Sequence, residues 1–418
     1  MFEFNETQIM IRDQFRNFVE KEIRPIIDDI EYNGVPPYDI LRKMFKAFGM
    51  DIAAKQQFEA SIAKEEAALA KGEPLTEKKK KEKDPNDPMV GMMAAMTVIP
   101  IIELSRVATG LVTAMGVSMG LTASAIQSKG TLAQKKKYCG QLLTMEKIGA
   151  WAITEPNSGS DAFGSMKSTA KRDGKGGYIL NGNKTFITNG PYADTIVFIC
   201  KLDEPGVTPK DRKIVSFILE KGMKGLVQSE AFKKMGIGSS PTGELFLTDV
   251  HVGPEQLLGG SEDGYGKGGA KGSFLQERSG VASMALGIID RALELSIEYA
   301  KTRVQFGQPI GQFQLIQLKL ANMEVARLNV QNMVFRYVEM MMNGAADRIT
   351  LAEASAMKLY SAQAAMQVTT EAVQIFGGAG YMRATRVEQL MRDAKILQIY
   401  AGTDEIQITH IAKGLLER

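Results

Sequence analysis

Only two cysteines, Cys139 and Cys200, occur in 418 residues, so no disulfide framework holds this chain together and a reducing compartment suits it. Histidine is as scarce, with His251 and His410 the full complement. Both pairs are far apart and lack ligand spacing, which argues against a zinc site, and no metal is expected. Charge of one sign is lacking too. The 51 basic and 48 acidic side chains leave a net charge of +3, too weak a field to argue for nucleic acid. The stretch MFEFNETQIMIRDQF at residues 1–15 carries acids early and has no apolar run. It reads as neither signal nor transit peptide, and a cytoplasmic location is expected. Long apolar runs are rare, with one exception. VATGLVTAMGVSMGLTASAIQS, Val107 to Ser128, has 22 residues without a charge and could span a bilayer by length. Because Gly, Ala, Ser and Thr dilute it, a buried helix of a soluble core is expected, with no membrane span.

What is present is length and apolar content. At 44% apolar the chain fills more than one core layer, hence two or three sub-domains. Residues 1–150 read as an N-terminal helical domain. Phe4, Ile11, Phe15, Phe18 and Val19 recur at helical spacing, and KEIRPIIDDI places a proline at a bend. Within this domain, at about 51–90, a helix-forming stretch gives way to KGEPLTEKKKKEKDPNDP. Its lysine block, Lys78–Lys83, and three prolines mark a solvated loop. Residues 151–260 change to period two, as a middle β domain. GYILNGNKTFITNG holds Asn181-Gly182 between apolar runs, a strong hairpin signal, and DTIVFICKL, KIVSFILEKG and GELFLTDVHV are further strands. Residues 261–418 return to the helical period. Val281, Ala285, Ile288, Ala292, Leu295 and Tyr299 make one face, and Leu320, Met323, Val330, Val334 and Val338 another, which predicts an antiparallel helical bundle. The fold class expected is α+β.

Two glycine patterns suggest chemistry that their context does not support. GVSMG, Gly116 to Gly120, fits the nucleophile elbow, but its serine lies in a helical apolar run instead of between strand and helix. GYGKGG, Gly264 to Gly269, has dinucleotide-loop spacing, but no strand leads into it and no βαβ unit surrounds it. It is expected to be a loop feeding a helix at Ser273. His251 is expected to pack at a strand end, and His410 to sit on a helix surface.

WAITEPNSGSDA (Trp151–Ala162), KTFITNG (Lys184–Gly190), YAKTRVQFGQPIGQFQLIQLKLANM (Tyr299–Met323), QIFGGAGYMR (Gln374–Arg383) and DAKILQIYAGTDEIQITH (Asp393–His410) resemble segments of the acyl-CoA dehydrogenases, a flavoprotein family. The resemblance covers essentially the whole chain except about residues 51–90. It implies FAD as cofactor, an acyl-CoA substrate, an electron-transferring flavoprotein as acceptor, and a homotetramer with cofactor sites shared between subunits. A flavin that accepts a hydride gains negative charge, so N–H and hydroxyl donors must be waiting for it. By resemblance these are the backbone at Trp151 and Ile153 and the hydroxyl of Thr154, while Ser160 holds a flavin phosphate or part of the CoA chain. Phe186 replaces a stacking aromatic, often tryptophan, and Thr188 lies two residues on, expected on the same face of one strand. Arg303, Gln305 or Phe306, and Gln314 reach the FAD of a neighbouring subunit, the arginine fork suiting a pyrophosphate. Gln374, Gly377 and Gly378 meet the adenosine diphosphate. Thr403 and Glu405 complete the cofactor set.

YAGTDE joins two helical segments, with Gly402 as the stop and Thr403 or Asp404 as the next cap. Most of the family have a glutamate base where this chain has Ala401. One branch, which includes isovaleryl-CoA dehydrogenase, takes its glutamate from the first long helix of the bundle. SFLQERSGVAS puts Glu277 on that position and Arg278 on an arginine that contacts CoA, with Phe274 and Gly402 completing the substrate set. Glu277 is therefore expected to be the base, its pKa raised from roughly 4.3 toward about 6–7. The backbone N–H of Ala401 would donate to the thioester carbonyl. The implied reaction is α,β-dehydrogenation of an acyl-CoA to the 2-enoyl-CoA, with a branched or bulky acyl group, cyclic and aromatic ones included. Val112 stands where glutaryl members carry a clamping arginine. Two other readings stay open: an oxidase or non-redox eliminating member of the family, and a helical scaffold whose Lys78–Lys83 loop docks an acidic partner.

Overall fold

The computed structural model describes residues 4–72, 88–263, 270–345 and 348–417, with the side chains of 88–91, 93–95 and 270–276 outside the description. The Lys78–Lys83 block and Gly264–Gly269 therefore lie outside the described residues, as does the side chain of Phe274. Helix α1 (Glu6–Phe18) opens on a capping box between Asn5 and Gln8 and buries Ile11 and Phe15. It runs through a π turn, Val19–Ile23, into a tighter turn at Arg24–Ile26. Pro25 sits in that turn, where its missing N–H ends the regular ladder, so the bend falls where the sequence put it. Helices α2 (Tyr38–Ala47), α3 (Met50–Ala70) and α4 (Pro88–Ser105) follow.

The uncharged run forms α5 (Thr109–Met115), a π-helical stretch Gly116–Ala123 and a last helical turn Ser124–Lys129. By length and composition alone Thr109–Lys129 could cross a membrane, yet more than half of its apolar window is buried within the protein. Polar anchors explain its place. Ser118 Oγ accepts the Gly149 N–H at 2.9 Å, and a Cβ on Gly149 would meet the Thr122 side chain at 2.8 Å. The π stretch therefore lies directly on the first strand of the β domain, and Ser118 is a packing residue, not a nucleophile.

Seven strands form one sheet: β1 (Gly149–Ala152), β2 (Thr169–Arg172), β3 (Tyr178–Thr188), β4 (Thr195–Leu202), β5 (Ile214–Glu220), β6 (Leu226–Gln228) and β7 (Thr242–Val252). Strand β4 is central and buried at all eight positions, as its unbroken apolar run requires. β1 and β2 pair parallel along one edge of it (Gly149↔Thr195, Thr169↔Lys201), and β5 pairs antiparallel along the other (Thr195↔Glu220). The hairpin expected at Asn181-Gly182 does not form. β3 passes straight through these residues between β2 and β7, with a register shift between Leu180 and Gly182. A Cβ at 182 would lie 2.2 Å from Ser168 Oγ. The glycine serves a close approach of strands rather than a reversal. Asn181 reads across the bulge, exchanging two hydrogen bonds with Asp249 at 2.9 and 3.0 Å.

The C-terminal bundle consists of α6 (Ala270–Thr302), α7 (Gln314–Met342), α8 (Leu351–Phe376), α9 (Val387–Ile396) and α10 (Asp404–Leu416). The expected faces are the buried ones: Val281, Ala285, Ile288 and Ala292 on α6, and Met323, Val330, Val334 and Val338 on α7. They join α1, α2, α4 and α5 in one continuous apolar core, while the sheet has a core of its own. The two helical ends of the chain thus share an interior, which Tyr192 of the β domain packs against, and a third cluster joins Ala123, Ile126 and Leu142 to Val197, Ile199 and Ile218 of the sheet.

Candidate active site

Residues 277 and 278 are successive on α6, so their side chains leave the helix about 100° apart. Arg278 turns into the bundle, where it donates to Ser355 Oγ at 2.8 Å and sits 3.1 Å from His410 Nδ1. His410 is half-exposed on α10, so the helix-surface residue expected also meets a buried arginine. Glu277 points elsewhere. Burial pushes its carboxyl up to about 7, against the pull of Arg278 and Lys358. Desolvation raises the phenol of half-exposed Tyr400, a hydrogen bond with Thr113 opposes this, and the Glu277 carboxyl adds to the rise; the Tyr400 hydroxyl donates to Met284 Sδ at 3.4 Å. Glu277 is thus electrostatically coupled to Tyr400, the residue before Ala401.

That turn is unusual in its backbone. Ala401 and Gly402 both have positive φ, at 54° and 85°, a conformation that costs an alanine but not a glycine. It is held from beneath. Gln407 Nε2 donates to the Ala401 carbonyl at 3.0 Å and to that of Gly402 at 2.8 Å, and Lys358 Nζ donates to Gly402 O at 2.8 Å. The Ala401 N–H enters none of the described hydrogen bonds. Thr403 is the cap of α10, its hydroxyl accepting the Ile406 N–H at 3.4 Å, and Glu405 is exposed in the first turn. Lys358 and Gln407 were absent from the sequence expectations, and Asp404 entered them only as a possible helix cap. A signal existed for Lys358, the charged member of a buried stripe Ala354, Lys358, Ser361, Ala365 on α8.

The β domain supplies a second, braced surface. Trp151, Ile153 and Thr154 are half-buried at the end of β1. Glu155 anchors this segment, accepting from Lys167 N at 2.7 Å, Ser168 N at 2.9 Å and Lys184 Nζ at 2.9 Å. Lys184 also donates to Ile153 O at 3.0 Å, and Thr185 N to Thr154 O at 2.9 Å. Burial alone would raise the Glu155 carboxyl, but Lys184 and these hydrogen bonds hold it below its ordinary value. Phe186 and Thr188 lie on the more open side of β3 with buried Ile187 between them, although the backbone there is irregular. A register shift falls between Lys184 and Ile187, and Phe186 has φ 57° with its ring 68% exposed. Asn189, also missed, fixes the end of β3. It donates to Ala114 O and Gly149 O, both at 2.9 Å, and accepts the Tyr38 hydroxyl at 3.1 Å.

The remaining predicted residues lie on the outer surface of this chain. Ser160 is exposed. Arg303, Gln305, Phe306 and Gln314 are exposed at the small ladder that joins α6 to α7, Phe306 to 95%. Gln374, Gly377 and Gly378 are exposed where α8 ends. Gly377 takes φ 60°, ψ −136°, and nothing stands within 4 Å of a Cβ at 377 or 378. That open backbone, together with the outward aromatic at 186, fits a large flat cofactor with phosphate groups. His251, expected to pack, is exposed on β7 opposite Ile179. Among the described residues no His, Cys, Asp or Glu cluster could hold a metal.

A helical, β, helical chain with a braced loop on the sheet and a raised acid coupled to the segment of a left-handed turn fits the class of flavin-dependent dehydrogenases. The sequence profiles of the acyl-CoA dehydrogenase N-terminal, middle and C-terminal domains match residues 5–65 with 89–146, 150–250, and 264–416. The chain belongs to the acyl-CoA dehydrogenase family. It is 35% identical to an acyl-CoA dehydrogenase of Bacillus subtilis over 98% of both chains. It is 33% identical to a 3-(aryl)acrylate reductase of Clostridium sporogenes over 99% of this chain and 100% of the other. Its fold is similar to that of butyryl-CoA dehydrogenase from Megasphaera elsdenii, with a TM-score of 0.81, 32% identity and full coverage of both. The protein is an acyl-CoA dehydrogenase, in a family that uses FAD, which replaces the scaffold reading. The N-terminal match resumes at residue 89 after leaving off at 65, so the divergent segment is narrower than the 51–90 expected.

Proposed function

We propose that this enzyme belongs to the branch with the base on α6, that Glu277 removes the substrate's α-proton, and that the acyl group is branched or bulky. The observation that carries this is the half-buried Glu277, its carboxyl raised by desolvation to about 7 and coupled to Tyr400 beside Ala401, where most of the family carry glutamate. A base with that pKa is half ionised at neutral pH and matched to proton transfer. FAD, when bound, supplies the acceptor for the β-hydride. Trp151, Ile153, Thr154, Phe186 and Thr188 would hold its ring. Arg303, Gln305, Phe306, Gln314, Gln374, Gly377 and Gly378 of a neighbouring copy, with Thr403 and Glu405, would hold the rest.

Glu277 takes the α-proton, and the C–H electron pair is shared with the thioester carbonyl. The oxygen gains negative charge beside the unused Ala401 N–H, which stabilises it. The same pair becomes the α,β double bond as the β-hydrogen leaves with its electrons. Ser160, Phe274, Arg278 and Gly402 complete the substrate side, Arg278 acting from the bundle interior. An alanine at 401 leaves room beside the α-carbon, and the relative named for aryl acrylates supports a bulky acyl group. A homotetramer, reoxidation by an electron-transferring flavoprotein and a cytoplasmic location complete the reading; two buried free thiols suit a reducing compartment.

Anaerobic stopped-flow reduction across straight, branched, cyclic and aromatic acyl-CoAs tests it. Glu277→Gln should keep FAD and acyl-CoA but lose about 10²–10⁴-fold in flavin reduction. Ala401→Glu in that background should restore part of the rate. Flavin reduction at the wild-type rate in Glu277→Gln would refute the assignment.

A further inference from the structure

Lys358 is the one fully buried lysine on the bundle side of the candidate site among the described residues, with no exposed surface. A buried ammonium is costly unless paired, and here its pairing is incomplete. Its nearest partner is an uncharged carbonyl, Gly402 O at 2.8 Å, while Asp404 Oδ1 lies farther off, at 3.4 Å. Asp404 is also shared, facing Gln398 Nε2 at 3.2 Å and Gln363 Nε2 at 3.4 Å. Burial accordingly pulls the Lys358 ammonium below its ordinary range, with Asp404 opposing. A lysine placed for stability alone would face its carboxylate squarely. This one faces the turn.

We infer that Lys358 is a positioning residue for the candidate site: its ammonium pins the left-handed turn that presents the Ala401 N–H, and it sets a positive charge beside Glu277. Two consequences follow from one atom. With Gly402 O held by Lys358 and Gln407, and Ala401 O by Gln407, the two peptide units that follow Ala401 are fixed, which restrains the turn that carries its N–H. The charge also favours the ionised form of Glu277 against the burial that disfavours it. The groups facing Glu277 are Arg278 on its own helix, Lys358 from α8 and Tyr400 from the segment after α9. Asp404 acts through Lys358, and His410 through Arg278. Arg278 is engaged by Ser355 and His410, which leaves Lys358 as the cation that links Glu277 to the turn.

The effect on proton abstraction rests on Glu277 being the base, whereas the effect on the Glu277 carboxyl does not, so the test reads them separately. In the FAD-loaded enzyme, infrared difference titration follows the protonated carboxyl C=O band of Glu277, assigned by its loss in Glu277→Gln. Lys358→Met removes the charge and the donor; Lys358→Gln removes the charge and keeps a donor. Both should raise the midpoint by about one pH unit. Independently, the dithionite-reduced enzyme is incubated with isovaleryl-CoA in D2O, so that α-deuterium exchange reports proton abstraction without hydride transfer. Above the midpoint, exchange should fall roughly tenfold or more in Lys358→Met, where the turn is released, and less in Lys358→Gln. A Glu277 midpoint that stays at the wild-type value in both variants overturns the inference. If Lys358→Met yields no holoenzyme, Lys358→Gln decides alone. If Glu277→Gln exchanges α-deuterium at the wild-type rate, the base reading fails, and the infrared midpoint still answers whether Lys358 acts on Glu277.

Discussion

Glu277 and Arg278 are neighbours in sequence and opposites in environment, and that contrast has a measurable cost. A carboxyl raised from 4.5 to about 7 is protonated in both folded and unfolded chains at low pH, so it takes nothing from stability there. As pH rises from about 4.5 to 7, the unfolded chain releases its proton while the folded chain keeps it, and stability falls. Above about 7 the loss is complete, and at about 1.4 kcal/mol per unit it reaches roughly 3 kcal/mol. Glu277→Gln should therefore resist urea better than the wild type at pH 8, by up to that amount, with the gap closing toward pH 5. Equal urea midpoints at pH 8 would mean that the carboxyl is not desolvated. In catalysis the sign reverses. Flavin reduction should rise with pH through a midpoint near 7, because only the ionised carboxylate accepts a proton.

Element by element, periodicity was a better guide than turn chemistry. The stripes on α6 and α7 lie where the 3.6 period puts them, because burial along a long helix is set by the sequence within it. Asn181-Gly182 misled because the same dipeptide serves a hairpin and a bulge, and only Ser168, just before β2, distinguishes them. Close approaches are equally silent in sequence. Gly287 on α6 looks like a blemish in a helix, yet a Cβ there would lie 2.2 Å from Ile102 O on α4. Gly287→Ala should destabilise the enzyme by about 1–3 kcal/mol through overpacking, read by chemical denaturation, although alanine is the better helix former. A stabilised variant would show that α4 and α6 do not meet there.

For the whole molecule, the outer surface holds the remaining evidence. Phe306, Tyr381, Leu315 and Met382 are 95, 84, 75 and 60% exposed, a set of large apolar side chains that a lone chain gains nothing by showing to water. They flank Arg303, Gln314 and Gly378, the residues assigned by resemblance to a neighbour's cofactor. Arg303→Ala should therefore lower FAD occupancy and the assembled mass together, followed by the ratio of flavin to protein absorbance and by light scattering on a sizing column. Full flavin content in an intact assembly would separate the two roles.

The sequence by itself determined the three-part organisation and the flavoprotein motifs, and it raised the proposal that Glu277 serves in place of the glutamate missing at 401, because these rest on residue types at fixed spacing along one segment. Tertiary structure alone decided the rest. It turned Arg278 and Glu277 apart, raised the Glu277 carboxyl by burial, set Asn189 between Tyr38, Ala114 and Gly149, and brought Lys358 to a carbonyl 44 residues away. Desolvation and hydrogen-bond partnership depend on what folds back from distant parts of the chain, and no local pattern carries that information.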